Sequence, residues 1–248
     1  MEVINIIHRS ALCMGKWDYS RHLAVDMARW IDLSAVNGSF AILPCDDDDI
    51  EGSARFLTEA GAVGLGFYPK KNDGLKCADI LSRDAESAGM TDTLIFKPDG
   101  LVVADFLLNK AMCGLLGKTP QKVVVIGSGP LAAAMVNSGI APDVVLITEN
   151  PAESADFSPM TEVTGFDSYM PHVKRTDLVL NCRENLAGSM DGFGPGAVFC
   201  DMDICSDKQS QALRRAKARG HRTIDFYSVL QQWHRLRFFE WYGCAAKG

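Results

Sequence analysis

The sequence predicts an α/β fold, in which an N-terminal α/β domain is followed by a Rossmann-type domain. Strand-like apolar runs alternate with helix-like segments along most of the chain. A glycine-containing turn follows one of those apolar runs directly, and a long aromatic-rich helix ends the pattern. We therefore expect domains at residues 1–105 and 106–226. A closing helical segment at residues 227–248 is expected to pack back on the first domain.

The first domain shows strand patterns at residues 3–7, 39–43 and 62–68. Helical patterns separate them at residues 18–31 and 49–60, and a third amphipathic pattern is predicted as a helix at residues 72–81. A turn at Asp99-Gly100 predicts that residues 93–97 and 101–104 pair as a β-hairpin.

The first strand predicted within the second domain is the apolar run that ends at Ile126. The further elements predicted for this region are strands at 143–148, 178–181 and 197–202, helices at 131–138 and 206–219, and the closing helix at 228–242.

Composition limits the function classes. With 248 residues, of which 47% are hydrophobic, the chain can form one large or two medium cores. A formal net charge of −6 argues against nucleic-acid binding. The basic residues between 214 and 219 suit the exposed side of a helix. We expect small-molecule partners and a monomer or homodimer.

No apolar run is long enough for a transmembrane helix, and the first residues lack a basic signal-peptide region, so a cytoplasmic protein without membrane contact is expected. The eight cysteines form no Cys-x-x-Cys pair and are predicted to be buried, reduced thiols. Asp46 to Asp49 are interpreted as helix-start carboxylates rather than a metal site, and no metal is expected.

The turn Gly127-Ser128-Gly129-Pro130-Leu131 predicts a dinucleotide site. Its first glycine permits a sharp turn, its second lets the backbone approach a pyrophosphate, and Ala132 lets helix and strand pack closely. The N–H groups at the start of the following helix then face the phosphates. The alternative is a turn with a purely structural role.

Glu149 ends the next strand, near the spacing at which an acidic residue binds the adenosine ribose hydroxyls. No Arg or Lys occurs between Lys122 and Lys174 to neutralise a 2′-phosphate, so NAD is favoured over NADP. The alternative is that Glu149 is a solvated loop carboxylate.

Several segments, taken in order, resemble shikimate and quinate dehydrogenases, in which a substrate domain precedes the nucleotide domain. The segment from Gly66 to Lys71 resembles that family's Asn-Val-Thr-x-Pro-x-Lys motif, which implies a catalytic role for Lys71. The segment at residues 88–94 is similar to Gly-Ala-Val-Asn-Thr and puts Asp92 at a substrate-binding position. The stretch from Asp177 to Arg183 is similar to Asp-x-x-x-Asn-x-Thr-Pro, which implies that Asn181 lies beside the nicotinamide.

The chain departs from the family's pattern at other positions. The family's catalytic aspartate falls on Asp105 with a short deletion after Gly100 and on Leu108 without one; the gapped match is preferred. Its late substrate-binding glutamine falls on Gln232 with a one-residue shift, or on Trp233 without it. The N-terminal Ser-x-Ser motif is absent, and the residues offered as replacement substrate contacts are Tyr19, Arg21 and His22.

The resemblance implies an NAD- or NADP-dependent oxidoreductase. Lys71 would exchange a proton with the reacting hydroxyl while Asp105 orients the ammonium. The alternatives are an exposed pair at Lys70 and Lys71 and a helix N-cap at Asp105. Asp92 in place of a neutral amide favours an aminated substrate over shikimate.

Three function classes follow from these residues. The first is a dehydrogenase of a cyclic hydroxy acid related to shikimate or quinate. The second is a dehydrogenase for a different small molecule in a specialised pathway. The third is a non-catalytic sensor that binds cofactor or ligand.

Overall fold

The chain folds into two compact units in the computed structural model. The first comprises Met1–Glu86, Met90–Leu108 and Gln231–Gly248, and the second comprises Ser87–Gly89 and Asn109–Leu230. The structure describes residues 8–14, 19–44, 49–69, 72–151, 161–183, 186, 192–203 and 209–247.

The first unit contains a mixed six-stranded sheet in the order β2-β1-β3-β5-β6-β4. Strands β1, β2 and β3 pair in parallel, whereas β5 pairs antiparallel with both β3 and β6. Its strands are β1 His8–Met14, β2 Gly38–Pro44, β3 Ala62–Phe67, β4 Ile80–Leu81, β5 Thr93–Phe96 and β6 Val102–Asp105. The predicted hairpin at Asp99-Gly100 is confirmed, because Lys97 and Leu101 close it with a 2.8 Å backbone hydrogen bond.

The helices are α1 Tyr19–Leu33, α2 Ile50–Glu59, α3 Arg83–Ala88, α4 Leu108–Leu116, α5 Pro130–Asn137, α6 Gln211–Ala218 and α7 Phe226–Tyr242. Asp49 caps α2 by accepting a 3.0 Å hydrogen bond from the Gly52 amide, as predicted for the helix-start carboxylates. The other three, Asp46 to Asp48, lie outside the described residues. No helix in the described part of the chain is both long and apolar enough to cross a membrane.

Two glycines of β3 make room for α7 within the first unit. A Cβ on Gly64 would collide with the indole of Trp241, whose Nε1 donates a 3.1 Å hydrogen bond to the Leu94 carbonyl. A Cβ on Gly66 would lie 2.8 Å from Cζ of Arg237. Larger residues on this strand would therefore push the helix away from the sheet.

The second unit contains a six-stranded sheet in the order β12-β11-β10-β7-β8-β9, in which every recorded pair is parallel. Its strands are β7 Lys122–Ile126, β8 Asp143–Thr148, β9 Glu162–Gly165, β10 Leu178–Asn181, β11 Val198–Asp201 and β12 Arg222–Ile224. The central strands are buried almost throughout, as expected for a parallel sheet covered on both faces. The predicted α/β fold with a Rossmann-type sheet is confirmed.

Several predicted elements differ from the structure. Residues 72–81 form a 3-10 helix at Asn72–Cys77 followed by β4, because Ile80 and Leu81 pair with β6. The strand predicted at residues 3–7 lies outside the described residues, and the observed first strand, β1, was not predicted. Helix α6 begins at Gln211 rather than at residue 206, where Ser210 caps it through a 3.0 Å bond from the Leu213 amide.

The closing helix packs with aromatic side chains inside the first unit. The Phe238 ring meets Trp30 at a centroid separation of 6.1 Å, and Trp233 meets Tyr68 at 6.3 Å. Trp233 and Phe238 are buried in these contacts, whereas Phe239 is half-exposed.

Candidate functional site

The glycine turn lies at the carboxyl end of β7, the central strand of the second sheet. Gly127 has φ of +144°, a backbone conformation that side chains rarely adopt, and its amide donates to the Ile147 carbonyl at 3.0 Å. The first glycine of the turn is therefore required by the backbone, as its sequence position predicted.

The second glycine keeps the approach to helix α5 open. Gly129 is the N-cap of α5, and a Cβ built on it would meet nothing within 4 Å. Pro130 follows at the first helical position, where its missing N–H is not needed. Ser128, Gly129 and Pro130 are exposed, whereas the Leu131 side chain is buried in the core. Leu131 can therefore contribute its backbone N–H to an anion but not its side chain.

Glu149 at the end of β8 is half of an ion pair. Its Oε1 lies 2.7 Å from Nη1 of Arg183, and the two side chains are 64% and 37% exposed. No Arg or Lys lies between Lys122 and Lys174, but the fold brings Arg183 from beyond β10 to Glu149, so a cation is present where the sequence predicted none. Glu149 follows β8 and is mostly exposed, and the alternative of a solvated loop carboxylate stays open.

Asn181 holds the backbone of Arg183 in place. Its Nδ2 donates to the Arg183 carbonyl at 2.9 Å and to Oδ1 of Asp201 at 2.8 Å, and its Oδ1 accepts from the Arg183 amide at 3.1 Å. The side chain is fully buried. These three hydrogen bonds are internal to the second unit, so the action of Asn181 on a cofactor would pass through Arg183 rather than through direct contact.

Two of the predicted site residues of the first unit, Asp92 and Asp105, lie together at one end of strands β5 and β6. Thr93 at the start of β5 is in register with Asp105 at the end of β6 and with Gly66 near the end of β3. Asp92 immediately precedes Thr93, and its amide donates to the Asp105 carbonyl at 3.2 Å. Lys71 follows β3 in the sequence but lies outside the described residues, so its role stays a prediction.

Asp105 is buried and fixed by several hydrogen bonds. Its Oδ1 accepts from the Ser82 hydroxyl at 2.5 Å and from the Phe106 amide at 2.8 Å. Helix α4 begins at Leu108, so the alternative that Asp105 is a helix N-cap is wrong. The amide of Leu108 instead donates to Oδ2 of Asp92 at 2.9 Å.

Asp92 forms a buried pair with Arg237 of α7. Arg237 Nη2 lies 3.8 Å from Asp92 Oδ1, and both side chains are essentially inaccessible. Thr93 Oγ1 donates to Asp92 Oδ1 at 2.5 Å and accepts from Arg237 Nε at 3.0 Å. Burial raises the pKa of Asp92, while Arg237 and these hydrogen bonds oppose the rise.

Residues of the first unit bind and surround the Arg237 guanidinium. Its Nη2 donates to the carbonyls of Phe67 at 2.7 Å and Asp92 at 2.6 Å, and its guanidinium lies 4.1 Å from the Trp233 ring centroid. Burial lowers the pKa of Arg237 to about 10, so the side chain stays charged at neutral pH. The proposal that Asp92 presents an unpaired negative charge to a substrate is therefore wrong, because Arg237 already offsets that charge.

Four further residues are predicted substrate contacts, one on α7 and three on α1. Gln232 on α7 is half-buried beside Trp233, which is fully buried. Tyr19 is the first residue of α1, and Arg21 and His22 follow it on the same helix. The structure does not describe the side chains of these three α1 residues, and their contacts stay predictions.

The described cysteines are free thiols at Cys77, Cys113, Cys182, Cys200 and Cys244. Of these, Cys200 alone is fully buried and the other four are partly exposed, so the predicted burial holds for Cys200 and is wrong for the rest. Among the described residues, no group of three or more His, Cys, Asp or Glu could hold a metal ion.

Sequence reasoning missed the two arginines that define this geometry. Arg183 stands where the resembled motif has Thr, and that departure was the available signal. Arg237 had a fainter signal: it lies among aromatic residues on the closing helix, and β3 contains two glycines in an apolar strand.

Known proteins resemble this chain in sequence. The chain is 24% identical over 237 residues to a shikimate dehydrogenase (NADP(+)) of Roseobacter denitrificans, covering 86% of this chain and 85% of the relative. It is 28% identical over 229 residues to a shikimate dehydrogenase (NADP(+)) of Caulobacter vibrioides, covering 81% and 78%. No family model matches the chain.

Solved structures share the fold at lower identity. A Thermus thermophilus shikimate dehydrogenase, in complex with NADP(H) and shikimate, matches with a TM-score of 0.81 at 17% identity, over 97% of this chain and 95% of that one. A 5-ketofructose reductase of Gluconobacter matches with a TM-score of 0.76 at 15% identity, over 97% and 95%. The resemblance predicted from the sequence is confirmed over most of the chain.

Proposed function

We propose that this homologue of the shikimate dehydrogenases is an NADP-dependent oxidoreductase that transfers hydride to or from a secondary alcohol of a cyclic hydroxy acid. The observation that carries the proposal is the turn from Gly127 to Pro130 at the end of β7: Gly127 has φ of +144°, and the space beside Gly129 is open, as a glycine turn that admits a dinucleotide pyrophosphate needs. The curated relatives are named for NADP(+), and this supports NADP rather than NAD.

The residues of the second unit fit such a cofactor. The exposed backbone of Ser128 and Gly129 and the first turn of α5 offer N–H groups to phosphates. Arg183 and Glu149 follow the two strands that flank β7, which are β10 and β8. When bound, the nicotinamide supplies the hydride acceptor or donor.

The residues of the first unit would handle the proton. In the oxidative direction, Lys71 takes the proton of the substrate hydroxyl as the carbon gives up its hydride and becomes a carbonyl. Asp105 would orient the Lys71 amine, and its own position is fixed by Ser82 and the Phe106 amide. The Asp92–Arg237 pair occupies the place that the resemblance gives to a neutral substrate-binding amide, which supports a substrate that differs from shikimate.

Activity assays with Asp105 variants test the proposal. Purified protein with NADP is supplied with shikimate, quinate and aminated analogues, and reduced nicotinamide is followed by absorbance. We expect turnover of at least one compound, with kcat lowered roughly 100-fold or more by Asp105→Asn because the proton-transfer group loses its orientation. Asp79→Asn is the matched control, since its exposed carboxylate accepts a 2.8 Å bond from the Val102 amide in the same unit. Equal turnover in both variants would contradict the proposed role of Asp105.

A non-catalytic sensor is the second candidate. The buried Asp92–Arg237 pair favours it, because both charges already satisfy each other where the resemblance implies a substrate contact. A dehydrogenase for a different small molecule is the third candidate, because a reductase named for 5-ketofructose has the same fold. Cofactor binding without turnover of any compound would favour the sensor.

A further inference from the structure

We propose that Arg183 is the residue that selects NADP, by exchanging its ion pair with Glu149 for one with the 2′-phosphate of the cofactor. The inference rests on the proposed dinucleotide function and adds the group that reads the adenosine ribose. Glu149 ends the strand whose acidic residue is expected at that ribose, and Arg183 lies 2.7 Å from its carboxylate.

The sheet order shows where this ion pair lies. Strand β7 is between β10 and β8, so a side chain that starts just after β10 and reaches the end of β8 crosses the carboxyl end of β7. That end carries the Gly127 turn. The Arg183–Glu149 pair therefore spans the region where a dinucleotide would lie, and a bound cofactor must meet it.

Other residues hold both the backbone and the guanidinium of Arg183 in place. Asn181 holds its backbone through two hydrogen bonds, at 2.9 and 3.1 Å, and the guanidinium lies 5.7 Å from the ring centroid of Phe166, which follows β9. The cation is thus preorganised without depending on Glu149. It can release the carboxylate and still remain at the site.

Two features favour the exchange of Glu149 for a 2′-phosphate as the partner of Arg183: the ion pair is exposed, and the phosphate carries the larger charge. Both side chains are partly open to solvent, and exposed ion pairs contribute little free energy. A phosphate monoester carries a charge of about −1.5 to −2 at neutral pH and accepts a bidentate guanidinium, so it competes well with one carboxylate. With NAD, the ribose hydroxyls would bind Glu149 and Arg183 would keep its carboxylate partner.

The test compares two fragments that differ by one group, adenosine 2′,5′-bisphosphate and AMP. Isothermal titration calorimetry of the full chain gives the Kd of each, together with those of NADP and NAD. We expect Arg183→Gln to weaken adenosine 2′,5′-bisphosphate and NADP by roughly ten- to hundredfold, the range for a hydrogen bond to a charged group, while AMP and NAD change less than about threefold. Glu149→Gln should tighten NADP severalfold because it removes the competing carboxylate.

Arg214→Gln is the matched control, because it removes the same charge from an exposed position on α6. An equal loss for both fragments in Arg183→Gln would mean that Arg183 contacts the 5′-phosphate or the adenosine that both share, and would overturn the selection of the 2′-phosphate. If Arg183→Gln binds all four ligands with unchanged affinity, Arg183 contacts no part of the cofactor, and the proposal is overturned. If the unaltered chain binds neither fragment nor either cofactor, the proposed dinucleotide function itself fails.

Discussion

The two units each contain an arginine paired with a carboxylate, and the two pairs differ in what surrounds them. Asp92 and Arg237 in the first unit are buried and bound by neighbouring carbonyls, amides and a hydroxyl. Glu149 and Arg183 in the second unit are partly exposed at the end of a parallel sheet. A buried pair cannot lose one member without leaving an uncompensated charge, whereas an exposed pair can change partners at little cost. The first pair therefore contributes to stability and the second is available for binding.

Replacing each arginine by methionine should give the largest contrast. Arg237→Met leaves the Asp92 carboxylate buried and unpaired, and we expect the free energy of unfolding to fall by about 3–5 kcal/mol. Arg183→Met should lower it by less than about 1 kcal/mol. Urea denaturation followed by circular dichroism measures both.

If Arg237→Met does not fold, the double variant Asp92→Asn with Arg237→Met keeps the test usable, because it removes both charges together. It should be more stable than Arg237→Met alone. Similar losses for Arg183→Met and Arg237→Met would end the distinction between the two pairs.

Two glycine-to-alanine changes, one beside Arg237 and one in the glycine turn of the second unit, should give a smaller contrast in stability. A Cβ at Gly66 would lie 2.8 Å from the Arg237 guanidinium, so Gly66→Ala should destabilise the protein by about 1–3 kcal/mol through overpacking. Gly129→Ala meets nothing within 4 Å and should leave stability nearly unchanged, while weakening NADP binding by crowding the approach to the turn. Thermal unfolding and calorimetric titration separate these effects, and a loss of stability in Gly129→Ala would contradict the open turn.

The third prediction concerns pH and His234, which lies beside Arg237 in the buried cluster. Burial, with a further effect from Arg237, lowers the pKa of His234 well below its ordinary value of 6.5. The folded state therefore keeps this imidazole neutral, while the unfolded chain takes up a proton below pH 6.5. Stability should be fully present above that pH and fall on acidification by up to about 1.4 kcal/mol per pH unit.

His234→Gln should flatten that part of the stability curve. Denaturation of both proteins at a series of pH values below 7 measures the difference in slope. A wild-type slope equal to that of His234→Gln would show that His234 ionises alike in both states. The exposed Arg183–Glu149 pair contains no histidine, so no matching slope is expected from it.

Much of the second unit could be predicted from local patterns. Strands β8 and β10 occur at the predicted residues because each is an apolar run bounded by polar residues. Strand β9 was missed because Glu162–Gly165 is short and half polar, and its pairing with β8 supplies what its sequence lacks. Gly127 was identified for the right reason, since its φ of +144° requires glycine.

The charge pairs could not be predicted in the same way. Arg237 and Asp92 are far apart in the sequence, and no local spacing connects a helix residue with the residue before a β-strand. The resemblance identified position 92 as a site residue but carried no information on its partner. Glu149 and Arg183 similarly come from different strands that meet only through the order of the sheet.

The packing of α7 against the glycines of β3 has a consequence for synthesis. The second unit is nearly continuous, from Asn109 to Leu230, so all its strands can pair before Gln231 leaves the ribosome. The first unit needs Arg237 and Trp241 to cover a sheet that was translated long before them. A nascent chain that has emerged from the ribosome as far as Leu230 should therefore hold a protease-resistant second unit, while Asp92 still lacks Arg237.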